Sequence, residues 1–482
     1  MSRRHLVVAV IATCSALLVA ACSTTLQGKA VSVFDDPFHV AGMPATDGPT
    51  GLRSDAHGPV REVQGTDNGK VDELAASAVS DIEDYWRGAY SGTFDGQFTP
   101  VKSLISWDAN GFDDTRFCDE DTYGLVNAAF CYDDNTIGWD RGELLPALRK
   151  AYGDMGVTMV LAHEYGHAVQ HQAGLNNKNT PTLVAEQQAD CFAGGYMRWV
   201  AEDNSPRFTL STGEGLNNVL AAVIAFRDPL LAEGDPEVGI DEHGSAFERL
   251  SAFQFGFTDG PSACAAIDLR EIGQRRGDLP VLLPEDQTGE LPVTEESVRS
   301  IIDAMGILFS PAKPPQLSFK ASDAEGCPDA RPSPPASYCP ATNTIVVDLK
   351  ELAMMGTQSD SEDGASLASG DNTAYSVLVS RYMQAIQHAR GGVLLDNAEA
   401  ALRTACLTGV ATVKMSKNVT TPDGNTIELT AGDVDEAVSG ILTNGLAASD
   451  VNGESVPSGF SRIDAFRVGV LGDQDRCFKR FP

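Results

Sequence analysis

Among 482 residues, 67 acidic side chains stand against 35 basic ones, a formal net charge of -32. That balance argues against nucleic acid or anionic lipid as a general partner, and it favours solubility. An acid excess of this size reads as solvated surface rather than as a calcium site.

Arg3 and Arg4 precede an uncharged, apolar run over residues 6–21 that ends Val19-Ala20-Ala21-Cys22. A basic start, a short apolar core and small residues before a cleavage point make a secretory signal, and the run is short for a permanent span. The ending looks like a bacterial lipobox, which makes Cys22 the lipidated first residue of the mature chain. The alternative is an ordinary signal peptide with an incidental Cys. Residues 1–21 are therefore expected as signal, and the remainder as extracytoplasmic and lipid-anchored to the bacterial cell membrane through Cys22. Residues 22–70, rich in Gly, Pro, Asp and Thr without a sustained period, read as a flexible tether with a short strand over residues 30–34. Regular structure begins at the amphipathic segment from Val71 to Trp86.

Further along, the β-rich segment Asn135 to Asp140 precedes an apolar helical run, Val157 to Ala162, that leads into His163-Glu164-Tyr165-Gly166-His167. Histidines four apart project from one helix face, so both imidazoles reach one zinc ion while Glu164 points at its open coordination position. The bland alternative is a pair of satisfied core histidines, and a third ligand decides. The helical pattern around Val184-Ala185-Glu186-Gln187-Gln188-Ala189-Asp190 puts Glu186 and Asp190 on one face. Glu186 completes a His2Glu set, and Asp190 accepts the outer N–H of a liganding imidazole, assigned to His163.

This spacing resembles the gluzincins of the thermolysin type. It resembles more closely the family of putative neutral zinc metallopeptidases, whose second motif reads like Glu186-Gln187-Gln188-Ala189-Asp190-Cys191-Phe192-Ala193-Gly194. The lipobox with a peptidase domain is also similar in build to mycobacterial lipoprotein metallopeptidases. A metzincin is excluded, because that pattern needs Gly and His where Gln170 and Ala173 stand. The resemblance implies an α+β, zincin-like domain over residues 71–283 and a peptide or protein substrate.

With three protein ligands the fourth position falls to water, whose pKa drops towards 7 to give hydroxide. Glu164 is then general base and, on returning the proton to the leaving amine, general acid. His243 is the candidate oxyanion donor, since it lies about as far beyond the third ligand as the stabilising His of the thermolysin type; an ordinary loop histidine is the alternative. By resemblance, the segment from Asn135 to Asp140 is an edge strand that pairs with an extended substrate. Core packing is the equal alternative for its Ile137 and Trp139.

The chain then repeats itself. Phe130-Cys131 through Asp140 lines up with Tyr338-Cys339 through Asp348, and the zinc helix through His171 with Val377 through His388. Cys191 and Gly194 match Cys406 and Gly409, and Arg249 with Cys264 matches Arg462 with Cys477. Residues 284–482 thus read as a degenerate second copy. Tyr165, Gln170 and His171 persist as Tyr382, Gln387 and His388 and are scaffold. The metal set is lost: His163 becomes Ser380, Glu164 Arg381, His167 Gln384, Glu186 Ala401 and Asp190 Ala405, while Val456 stands where His243 does. One zinc per chain follows. Arg249 is disfavoured as oxyanion donor because Arg462 persists, and His171 as ligand because His388 does.

Cys14 leaves with the signal and Cys22 takes lipid, so eight cysteines remain in an oxidising compartment. The repeat selects one pattern used twice, Cys118 with Cys131 and Cys191 with Cys264, then Cys327 with Cys339 and Cys406 with Cys477. Cys191 as a fourth zinc ligand is the weaker rival, since it turns off the face carrying Glu186. The Pro-rich insert after Pro311 and the acidic loop from Ser359 to Asp371 read as exposed connections. The second copy offers a surface for an envelope protein partner. The alternative for the whole chain is a non-catalytic envelope scaffold with a structural or vestigial zinc site.

Overall fold

The computed structural model describes residues 36–482 other than 113, 240, 241, 286, 287 and 359–366. The signal over residues 1–21, Cys22, the strand over residues 30–34 and most of the acidic loop lie outside the described residues. Residues 36–69, expected as tether, are instead strapped along the folded body. Val40 is fully buried, Gly51–Leu52 pairs antiparallel with Phe208–Thr209, and Arg61 pairs with Glu83 while donating to Val101 O at 2.8 Å. Gly, Pro and Asp disfavour regular structure, but they do not stop single side chains from anchoring an extended chain.

The strap ends in β1 (Val63–Gln64), which precedes α1 (Lys70–Thr93). With β2 (Ser103–Trp107), β3 (Ala128–Cys131) and β4 (Thr136–Asp140) it forms a sheet of order β1-β2-β4-β3. The first three strands are parallel, and β3 folds back antiparallel on β4 through a turn with Asn135 at φ 56°. Every residue of β4 is buried. The segment expected as an edge strand is therefore interior, held by β2 on one side, and the edge is β3. Ile137 and Trp139 are core, the indole donating to Asp72 Oδ1 at 2.8 Å.

The longer helices that follow are α2 (Leu144–Ala173), α3 (Thr182–Ala201), α4 (Glu214–Ala225) and α5 (Ala246–Asp259). A break at Gly153 (φ 74°, ψ -173°), a conformation open to glycine alone, sends the later part of α2 off as a separate helix. That part is buried on nearly all sides, as its continuous apolar run requires. Helices α3 and α5 touch backbone to backbone. A Cβ on Gly194 would lie 2.1 Å from Phe253 O, and one on Gly256 would lie 1.7 Å from Cys191 O.

The second half runs α6 (Glu295–Phe309), β5 (Gln316–Ser318), β6 (Ala336–Cys339), β7 (Thr344–Val347), α7 (Asp371–Arg390), α8 (Ala398–Met415), α9 (Asp433–Thr443) and α10 (Gly459–Val470). Its sheet has the order β5-β7-β6, with β5 parallel and β6 antiparallel to β7, and Asn343 takes the turn at φ 49°. Helices α8 and α10 also touch through glycines: a Cβ on Gly409 would lie 2.2 Å from Phe466 O, and one on Gly469 would lie 1.8 Å from Cys406 O.

Four disulfides, Cys118–Cys131, Cys191–Cys264, Cys327–Cys339 and Cys406–Cys477, each lie within one half. The halves meet where α4 and α5 pack on α9 and α10, with Phe257 against Phe460 at 5.1 Å between ring centres. One apolar core runs through both, and residues 36–482 form a single compact unit. Among the described residues no helix is long and apolar enough to cross a membrane.

Candidate metal centre

One helical turn separates His163 from His167 on α2, so both rings leave the same face, toward α3 and Glu186. The ligand atoms of these three residues lie within 4.8 Å of one another, and all three residues are buried. His163 Nε2 is 3.1 Å from Glu186 Oε2, and His167 Nε2 is 3.3 Å from Glu186 Oε1. The outer ring nitrogens are held elsewhere, His163 Nδ1 by Asp190 Oδ1 at 2.8 Å and His167 Nδ1 by Gln170 Oε1 at 3.0 Å. Gln170 is itself fixed, its amide donating to Ala185 O at 2.6 Å. With Nδ1 donating outward, each Nε2 turns its lone pair to the centre. Two imidazoles and a carboxylate converging on one point, with a cavity on the remaining side, fit a zinc ion.

The charges agree with that reading. Burial alone would lift the Glu186 carboxyl, but the facing imidazoles of His167 and His163 hold it well below the usual carboxylate range. Burial works the other way on His163, yet Asp190 and Glu186 outweigh it and raise the ring to about 10. Asp190 is kept ionised against its own burial by Arg249 and His163. Arg249 donates to both its oxygens, from Nε at 2.9 Å and from Nη2 at 2.8 Å, and also reaches Phe226 O.

A cavity of about 910 Å3 opens over the three ligands, and Asn127 to Phe130, at the β3 edge, form part of its wall. Glu164 faces it, accepting from Phe130 N at 3.1 Å. Burial raises the Glu164 carboxyl, and the two imidazoles offset this in part. His243 stands on the loop before α5, its Nε2 3.8 Å from Glu186 Oε2 and its Nδ1 3.3 Å from Asp228 Oδ1. The bond to Asp228 raises the His243 ring, which favours the doubly protonated, donating form. His171 packs edge-on against Tyr132, with 5.7 Å between ring centres, and the three-ligand cluster is made without it.

Residues 35–267 match the model of the family described as putative neutral zinc metallopeptidase. The matched region contains His163, His167 and Glu186, together with Glu164, Asp190 and His243. The chain is also similar to the uncharacterized protein Rv2575 of Mycobacterium tuberculosis, 28% identical over 171 residues that cover 31% of this chain and 57% of that protein. The uncharacterized protein YpfJ of Escherichia coli is 32% identical over 130 residues, covering 24% of this chain and 44% of its own. The match thus spans about half the length of these relatives. No solved structure matches.

Four side chains of the matched region meet the centre without having been assigned to it from sequence. Gln170, read as scaffold, holds His167 Nδ1 at 3.0 Å. Tyr132 lines the cavity with its ring 6.5 Å from that of His167, and the internal alignment carried the signal, because Pro340 stands opposite it there. Asp228 orients His243 from a loop, and no spacing in the sequence announces it. Arg249, disfavoured as oxyanion donor because Arg462 persists, holds Asp190. Outside the region, Glu290, Asp371 and Glu436 form a second close carboxylate group. Cys327 and Cys339 approach Asp329, but their sulfurs are joined to each other.

Proposed function

We propose that the chain is a zinc endopeptidase of the bacterial cell envelope, cutting peptide bonds at the centre formed by His163, His167 and Glu186. The observation that carries this is convergence. Three ligand atoms, the carboxylate of Glu164 and the ring of His243 open on one cavity, and the outer nitrogen of each liganding imidazole is already held. When bound, zinc supplies a Lewis acid that polarises the scissile carbonyl and makes water acidic enough to attack near neutrality. Glu164 accepts the proton of the attacking water, a role suited to a carboxylate whose pKa burial has raised. It then delivers that proton to the leaving amine. His243, oriented by Asp228, donates to the oxyanion as charge develops there. An extended peptide adds to the β3 edge beside the cavity, which aligns its backbone with Glu164.

Residues 284–482 are, in this reading, a degenerate copy without a metal set, so the chain takes one zinc. Matching strand orders, matching αL asparagines, paired disulfides and paired glycine crossings support it. In this half Arg381 donates to Ala336 O at 2.7 Å and to Ser449 Oγ at 2.8 Å, while Gln384 donates to Asp450 O at 2.9 Å. These bonds seat residues 446–450 over the positions that correspond to the metal set. Export and a lipid anchor at Cys22 are part of the proposal, and the four disulfides favour an oxidising compartment.

The test is Glu164→Gln. Peptide turnover should fall at least about a hundredfold with zinc content unchanged. Unaltered turnover in that variant would favour the scaffold reading over the peptidase.

A further inference from the structure

The first amides of a helix have no partner within it. At α5 the capping box of Ser245 and Glu248 satisfies the amides of those two residues, at 3.0 Å for Ser245 N and 3.3 Å for Glu248 N. The amides of Ala246 and Phe247 remain. They face a carboxylate from the other half: Phe247 N donates to Asp435 Oδ1 at 3.2 Å, and Ala246 N–H is directed at the same group. Asp435 is buried, on α9, and negative charge there also complements the helix dipole of α5.

Arg249 lies in that same first turn of α5. Its guanidinium grips both oxygens of Asp190, and Asp190 holds His163 Nδ1 at 2.8 Å. The second half shows what this arrangement is like without its acid. Arg462 on α10 donates to Val456 O at 2.9 Å and Leu442 O at 2.7 Å, but Ala405 stands where Asp190 would, and its buried Nε has no partner among the described residues. The Arg249 fork therefore does more than pack, and its aim depends on how the first turn of α5 is held.

We propose that Asp435, in the half that lacks a metal set, is a positioning residue for the metal centre, fixing the first turn of α5 and, through Arg249 and Asp190, the ring of His163. The proposal rests on the reading of His163, His167 and Glu186 as a zinc site. The second half then braces, from outside, the helix that orients a ligand. Contact across the interface is not enough for this. Gln254, farther along α5, also crosses it, donating to Phe460 O at 3.0 Å, and has no link to Asp190.

The test uses the full chain with Asp435→Ala, Asp435→Asn and Gln254→Ala. Zinc affinity is read by chelator competition. The ring-nitrogen signals of His163 and the amide exchange of Ala246 and Phe247 are read by NMR on metal-free protein. Asp435→Ala should weaken zinc binding about tenfold, speed exchange at both amides and move the His163 Nδ1 signal as its bond to Asp190 loosens. Asp435→Asn keeps the shape and one acceptor oxygen, and should cost about threefold in affinity. Gln254→Ala should leave all three readouts unchanged. The proposal is overturned if Asp435→Ala binds zinc as the unaltered chain does, or if Gln254→Ala reproduces its loss. Should the alanine variant fail to fold, Asp435→Asn decides: faster exchange with unchanged zinc affinity overturns the proposal. If the unaltered chain takes up no zinc, the zinc-site reading fails on its own account, and the His163 signals still decide the role of Asp435.

Discussion

His163 and His167 enter the centre with their outer nitrogens bound and their inner ones turned to Glu186, so the protons to be displaced are those on Nε2. Without metal, each ring lies among carboxylates that outweigh the effect of burial; His163 is raised to about 10, and His167 is raised as well. Both folded-state values stand above the ordinary 6.5, so protonation of these rings stabilises the metal-free chain fully below about pH 6.5, and this is lost as pH rises toward 10. Zinc must therefore displace protons. At pH 7.5 its uptake should release the His163 proton, and affinity should fall as pH is lowered. Calorimetry in two buffers of different ionisation enthalpy measures the release, and a value near zero would contradict it. The clustering of His163, His167 and Glu186 was legible at this scale because an i, i+4 repeat converts directly into shared direction. Asp228 was not, because a loop residue reaches His243 through a path that only the fold defines.

The elements that carry these residues are pressed together where glycine permits backbone contact. A methyl at Gly256 would sit 1.7 Å from Cys191 O, directly beside Asp190, so Gly256→Ala must push α5 away from α3. The expected cost is about 1–3 kcal/mol in urea unfolding, with weaker zinc binding as Arg249 moves off Asp190. Gly469→Ala, placed 1.8 Å from Cys406 O in the other half, should cost as much with little change in zinc affinity. Equal loss of zinc affinity in both variants would contradict this division. Helices were readable from period and motif. Strand order was not: Thr136 to Asp140 reads the same whether interior or edge, and only pairing to both β2 and β3 settles it. Nor does composition tell a strap from a tether, since Val40 and Arg61 are too few to form a pattern.

At the scale of the whole molecule, the internal alignment of the sequence picks out the four disulfide pairs, but not that the two halves share one core and cap each other's helices. Asn217 Oδ1 accepts from Gly459 N at 2.7 Å at the start of α10, the counterpart of Asp435 at α5. The second half also carries carboxylates crowded at Glu290, Asp371 and Glu436. Burial and mutual repulsion raise Glu436 to about 9 and Asp371 to about 7. Acids with raised folded-state values favour folding below the ordinary carboxylate range, and that contribution is lost as pH climbs through 7 to 9. Glu436→Gln should therefore stabilise the chain at pH 9 and do little at pH 5, as read from urea midpoints. Destabilisation of equal size at both would refute the assignment.

The most direct measurement of the central claim is the zinc content of the purified chain by mass spectrometry after exhaustive dialysis, with His167→Ala alongside. The account predicts one zinc per chain, falling close to none in the variant. Two per chain, or one that survives the loss of His167, would contradict it.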